Sequence, residues 1–381
     1  MPVIRVADIK KDFRISFTTA PLRKIAEKKL DNKTIRNGDI LVVKSSGSAS
    51  SVVSGRAAIV EGVPERSYGF ANFLLRLRVD PKLYDPYFLF YLLNSAPVRE
   101  QVLRLIGSTT YPNIKVPRYR KIQIPLAPLP EQRRIVDILK RADGIRRLRK
   151  QAIQTARELI PALFVDIFGD PATNPKGWSI VPLSKLVREF RYGTSTKSSD
   201  HGYPTLRIPN VIAGEINITK MKQVPVTNSE YDRLRLEDGD ILFVRTNGNP
   251  DYVGRCACFN RSHIARYGMD PAKFIYASYL IRARLDPKRV EPVYLQSYLS
   301  TSIARNHIRE RSRTSAGQYN INTENLGTIP VLLPNIELQC EFVSRLRDIK
   351  SLAGQQMAGE EKAGLVFESL LHRAFRGDLQ R

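Results

Sequence analysis

Two short stretches carry residue types suited to a polyanionic partner. Lys44-Ser45-Ser46-Gly47-Ser48 is followed by Gly55-Arg56, and Arg245-Thr246-Asn247-Gly248-Asn249 is followed by Gly254-Arg255. A cation, hydroxyls or amides, and glycines that admit close backbone approach make a set for hydrogen bonds to phosphates and base edges. Ser45-Ser46 stands where the other copy has Thr246-Asn247, so one scaffold with two spellings points to two different half-sites. A second matched pair is Gly107-Ser108-Thr109-Thr110-Tyr111 and Ser315-Ala316-Gly317-Gln318-Tyr319, the latter with Arg313 just ahead of it. Thr109, Tyr111, Arg313, Gln318 and Tyr319 join the candidates, since tyrosine stacks or hydrogen-bonds and glutamine can read adenine. Tyr192-Gly193-Thr194-Ser195-Thr196-Lys197 is a weaker polar loop, from which Thr194 and Lys197 are taken. The blander readings, hairpins with polar turns and tyrosines closing a core, stay open.

Signals for catalysis are poor. Asp85-Pro86-Tyr87-Phe88 is similar to the Asn/Asp-Pro-Pro-Tyr/Phe loop of amino-methyltransferases but lacks the second proline. Its repeat partner, Glu291-Pro292-Val293-Tyr294, reads as a helix cap, and no glycine-rich cofactor loop accompanies either copy. Glu27-Lys28-Lys29 has the Glu-x-Lys spacing of many nucleases, with no Pro-Asp pair before it, and reads as a charged helix surface. Cys256-Ala257-Cys258 with His263 raises a metal site, but the cysteines' counterparts are the apolar Ala57 and Ile59, which argues for core packing. The four histidines show no ligand or triad spacing. No catalytic, metal or cofactor residue is assigned.

Composition narrows the partner. The 381 residues carry a formal net charge of +24. An excess of that size favours nucleic acid, because lysine and arginine displace counterions condensed on its backbone. With 42% hydrophobic residues the chain is globular. Three cysteines build no disulfide framework. No run approaches a bilayer span and Met1-Pro2-Val3-Ile4-Arg5 lacks a signal-peptide core, so a cytoplasmic protein is expected.

The elements that must position these loops occur twice. Asn37-Gly38-Asp39-Ile40-Leu41-Val42-Val43-Lys44 matches Asp238-Gly239-Asp240-Ile241-Leu242-Phe243-Val244-Arg245, 201 residues on. Leu77-Arg78-Val79-Asp80-Pro81-Lys82 matches Ala283-Arg284-Leu285-Asp286-Pro287-Lys288 at 206, and 122–132 matches 329–339 at 207. A near-constant offset in one order means a duplicated domain with short loop indels. Turns before branched residues read as strand starts, and acid-proline pairs as helix entries. The fold class is α+β: two duplicated mixed α/β units, each followed by a long helix. The boundaries are 1–127, 128–170, 171–335 and 336–381. No counterpart to Trp178 through Thr205 precedes Ile4: the true start lies upstream, the first unit is shortened, or the element comes from elsewhere.

Each long helix bears an apolar stripe. In the first it is Ile135, Ile138, Ala142, Ile145, Leu148, Ala152, Thr155 and Leu159; in the second, Phe342, Leu346, Ile349, Ala353, Ala363, Phe367, Leu370 and Ala374, interrupted by Gln356 and Glu360. Complementary stripes predict that the helices pair. About 30 helical residues span roughly 45 Å, a little over one turn of duplex. Arg133, Arg134, Lys140, Arg141, Arg146, Arg147, Arg149 and Lys150 either face a duplex or form a solvated face.

Three motifs then carry a family resemblance across the whole chain. They are Pro125-Leu126-Ala127-Pro128-Leu129-Pro130-Glu131-Gln132, Phe168-Gly169-Asp170-Pro171 with Asn174-Pro175-Lys176-Gly177-Trp178, and the closing Leu370-Leu371-His372-Arg373-Ala374-Phe375-Arg376-Gly377-Asp378-Leu379. The chain resembles the specificity subunit of Type I restriction–modification systems. That resemblance implies two target-recognition domains separated by two long helices pairing as an antiparallel coiled coil, pseudo-twofold symmetric. Each domain would read one half of a split double-stranded DNA target, with no catalysis of its own. It also implies two modification subunits, which use S-adenosylmethionine, and motor-nuclease restriction subunits as partners. The chain departs from the pattern in its short first recognition domain, and in Leu338-Gln339 where the first copy has Glu131-Gln132.

Overall fold

A computed structural model describes every residue except 11, 28–29, 46, 49–50, 65–66, 107–111, 213, 316 and 377–381, and only the backbone at 47–48, 51 and 315. Ser46, Thr109, Tyr111, Lys28 and Lys29 therefore lie outside the described residues, as does the side chain of Ser48; of Gly47 only the backbone is described. The chain divides into two compact units, Met1–Ala152 with Gln355–Arg381, and Ile153–Gly354.

The heart of the second unit is an antiparallel sheet in the order Cys256–Cys258, Ile241–Val244, Leu280–Leu285, Val187–Tyr192. The first unit repeats three of these strands, as Ala57–Ile59, Ile40–Val43 and Leu74–Leu77. Register is kept: Ile40 faces Ile59 and Leu77, and Ile241 faces Cys258 and Ala283. The central strands are apolar at every position because both faces are covered. Ile40 and Val42 enter one core and Leu41 and Val43 another; Ile241 and Phe243 divide from Leu242 and Val244 in the same way.

Two helices follow each sheet, Pro86–Asn94 and Ala96–Ile106 in one unit, Pro292–Leu299 and Ser302–Arg311 in the other. Asp85 accepts from the Tyr87 and Phe88 N–H groups and Glu291 from Tyr294, so both acid-proline pairs are helix caps. Cys256 is buried beside Phe243 in register, among packing residues.

The long helices run Leu129–Phe168 and Ile336–Ala374. With 40 and 39 residues each measures roughly 60 Å, longer than the sequence suggested. Within the first unit Ile135, Val136 and Leu139 pack with Phe367, Leu371 and Ala374. Within the second, Phe164 and Phe168 meet Phe342 edge-on at 5.6 and 5.3 Å. The start of one helix thus meets the end of the other in each unit, an antiparallel pairing.

The second helix uses its expected stripe, buried at Phe342, Leu346, Phe367 and Ala374 and half-buried at Gln356 and Glu360. The first corrects it. Ile145, Leu148 and Leu159 are exposed, and Arg146 and Arg149 are turned partly inward. Arg146 lies 4.7 Å over the Phe367 ring and Arg149 donates to Gln356 at 3.2 Å. Long cationic stems there cover apolar surface that a hydrophobic count assigns to leucine.

Candidate nucleic-acid interface

The two cationic loops stand on one backbone frame, built twice. The Lys44 N–H donates to the Phe73 carbonyl at 2.8 Å, and its carbonyl accepts from Ile114 at 2.8 Å. Arg245 does the same with Tyr279 at 2.9 Å and Ile321 at 3.0 Å. One residue on, Ser45 bridges Asn113 and Thr246 bridges Asn320. The loop returns through Gly55 and Gly254, whose N–H groups donate to Val43 and Val244. Both have positive φ, 88° and 68°, and a Cβ on either would lie 2.4 Å from Val102 or Ile308. Only glycine lets the chain turn so close to the helix behind it.

Two arginines that sequence reasoning passed over hold these turns. Arg99 donates to the carbonyls of Ser54 and Val52, the latter at 2.6 Å. Arg305, 206 residues on, donates to Val253 at 2.7 Å and Asp251 at 3.1 Å. Burial pushes both guanidinium pKa values below their usual value. A lone arginine on a helix looks like a solvated charge; only recurrence at the repeat offset could have flagged the pair.

In the second unit several candidates come together. Thr246–Asn247 pairs with Gln318–Asn320, which pairs with Arg313–Ser315. Thr246 Oγ1 donates to Gln318 Oε1 at 3.0 Å. The Arg245 guanidinium lies 4.8 Å over the Tyr192 ring, a cation–π contact that fixes its direction. Asn247 and Asn249 use their side-chain carbonyls locally, each accepting an N–H two residues on at 2.9 Å. Their Nδ2 groups meet no acceptor among the described residues. Arg313 and Gln318 are exposed and Tyr319 is half-buried against the core.

The structure separates two candidates from this group. Thr194 is only 5% exposed, its Oγ1 accepting from Thr196 at 3.1 Å, because its backbone joins Tyr276 and Ser278 in the interior. Arg255 is spent inside the loop, donating to Asp251 at 2.8 Å and Ile212 at 3.1 Å with Tyr252 4.4 Å beneath it. Lys197 is exposed beyond Thr194. In the first unit Lys44 and Ser45 are half-buried, and Arg56 lies 6.0 Å over Phe13.

The basic residues of the first long helix are largely committed within the first unit. Arg134 pairs with Glu131 at 2.7 Å, Arg146 and Arg147 with Asp143, Lys150 with Asp12, and Lys140 sits over Tyr87. No cluster of metal-binding type occurs among the described residues. None of their helices is long and apolar enough to cross a membrane.

The two α+β units thus carry a basic, polar loop on a common backbone frame. Comparison with known proteins narrows the class. Residues 1–157 match the family described as the Type I restriction modification DNA specificity domain. The whole chain aligns at 28% identity with 82% of the Type I restriction enzyme EcoKI specificity subunit of Escherichia coli (strain K12). It aligns at 25%, with the same coverage, with the StySPI specificity subunit of Salmonella potsdam. A solved chain from work on complex assembly and conformational transition of the type I R-M system shares its fold, with TM-score 0.56 and 20% identity over all of this chain and 92% of that one. The S subunit from M. genitalium gives 0.54 and 15%, over 91% and 84%. The chain is thus similar over its whole length to Type I restriction enzyme specificity subunits, and residues 1–157 match the DNA specificity domain.

Proposed function

We propose that this chain supplies DNA sequence specificity to a Type I restriction–modification complex and performs no catalysis itself. Each unit reads one half of a bipartite double-stranded target. The Lys44 and Arg245 loops, with the Arg313–Asn320 hairpin, approach base edges and phosphates. The two long helices set the unread gap and dock the modification subunits; restriction subunits join that assembly, and S-adenosylmethionine belongs to the modification subunits. The observation that carries this reading is the single backbone frame around Lys44 and Arg245, kept while the side chains beside it differ. Identical side chains would read one word twice; different ones read two.

The test is reconstitution. The purified chain with DNA and S-adenosylmethionine transfers no methyl group, and with modification subunits it directs methylation to one split sequence. Methyl transfer by the chain alone would make it an enzyme. Binding that ignores sequence and only falls steeply with salt would make it a scaffold.

A further inference from the structure

Each cationic loop stands beside an exposed aromatic residue. The Lys44 N–H donates to the carbonyl of Phe73 and the Arg245 N–H to that of Tyr279, two residues 206 positions apart. Both rings stand on a two-residue turn. The Leu74 N–H closes Asn72-Phe73 on the Ala71 carbonyl at 3.0 Å, and the Leu280 N–H closes Ser278-Tyr279 on Ala277 at 2.9 Å. Leu74 and Phe70 are buried in one core and Leu280 and Tyr276 in another, so each turn is pinned on both sides. The ring at its tip is left out: Phe73 is 63% exposed and Tyr279 58%.

A lone exposed aromatic says little, since much of any protein surface is apolar. Recurrence at the equivalent position of both units, beside the loop cation, says more. The exposure of Phe73 does not follow from the shorter sheet of its unit. Tyr279 is almost as bare, although Val187–Tyr192 pairs with Leu280–Leu285 there. The loops differ, Ser45 standing against Thr246, whereas the turn carries a ring in both units. Stacking tolerates any base, because every base has a π-face, so a shared ring suits two readers of different words.

We infer that Phe73 and Tyr279 are DNA-contacting wedges, each pressing its ring against a base step of the duplex at its own half-site. This rests on the reading that the Lys44 and Arg245 loops approach DNA. The cation beside each ring neutralises phosphate, and the ring covers a base face at a partly unstacked step. No hydrogen bond to a base edge is involved, so the rings add affinity and leave the choice of sequence to the loops. The Tyr279 hydroxyl is dispensable, since Phe73 has none.

The experiment measures binding of the chain, assembled with modification subunits, to duplexes carrying its split target with 2-aminopurine in one half or the other. Phe73→Ala and Tyr279→Ala are each expected to weaken binding roughly tenfold while keeping the parental salt slope. Each should abolish the 2-aminopurine response in one half only, and the two variants in opposite halves. Tyr279→Phe keeps the ring and should restore affinity and response. Parental affinity of Tyr279→Ala, a salt slope lowered by about one, or an equal loss with Tyr279→Phe would each overturn the inference. Weaker capture of modification subunits by Tyr279→Ala without DNA would do so too, by placing the ring in a protein interface. Arg245→Ala separates the two readings. If it leaves the methylated sequence unaltered, the loop assignment fails and the wedge with it; a relaxed sequence beside a fully binding Tyr279→Ala sinks the wedge alone.

Discussion

The side-chain carbonyl of Gln132 accepts the Asp85 N–H at 2.8 Å, joining the first turn of the long helix to the cap of another helix in the same unit. Its amide donates to the carbonyls of Leu83 and Ala127 at 2.9 and 2.8 Å, and the side chain is wholly buried. Gln339 repeats this with Glu291, Pro334 and Arg289. A glutamine has both an acceptor and two donors, which no carboxylate or aliphatic chain supplies.

Replacement of Gln132 therefore strands three backbone groups. Gln132→Ala is expected to cost about 2–3 kcal/mol, and Gln132→Glu more, since a charge is then buried facing carbonyls. Urea unfolding of the variants checks this, and equal midpoints for parent and Gln132→Glu would contradict it.

The loops yield a functional prediction. With modification subunits present, Arg245→Ala or Asn247→Ala relaxes one half of the methylated sequence and leaves the other half unchanged. A lost base contact costs about 1–3 kcal/mol, whereas a lost phosphate contact lowers affinity evenly and reduces the salt slope by about one. Sequencing of methylated sites reads the difference; loss at both halves counts against the assignment.

Helix capping gives a pH signature. Burial raises the Glu291 carboxyl pKa, more than the N–H groups of Tyr294 and Val293 and the charge of Arg347 lower it. The folded chain then holds this proton more tightly than the unfolded chain, so stability falls as pH rises from 4.5 through the raised value. Below 4.5 the loss is recovered. Glu291→Gln removes this dependence, so its stability relative to the parent rises with pH across that window; chemical denaturation at a series of pH values measures it.

The cysteines divide by environment. Burial pushes the Cys256 thiol up to about 12, and the Cys258 thiol upward as well, while Cys340 is exposed. A disulfide reagent should label one thiol in the folded chain and three in denaturant. Rapid labelling of two or more in the folded chain would contradict the packing.

Much of this was legible in the sequence because the chain repeats itself. Ile40–Val43 and Ile241–Val244 declared their strands by composition, and the shared offset tied their loops together. The second helix declared its buried stripe, since apolar residues fill it outside Gln356 and Glu360. The first did not, because Arg146 and Arg149 take inward positions on the strength of their stems while Ile145 and Leu148 stay outside. Thr194 was misplaced because a polar loop residue gives no sign that its backbone completes an interior sheet. Gln132 was visible as a motif, but its three bonds become apparent only when Asp85, 47 residues away, is brought beside it.

The central claim is that two unlike readers are spaced by the long helices. One turn of helix inserted in matched positions of both, with methylated adenines then mapped genome-wide in cells carrying the modification subunits, tests it most directly. The account predicts the same two half-sequences with a changed gap between them. An unchanged gap, or a single uninterrupted recognition sequence in the parent, would contradict it.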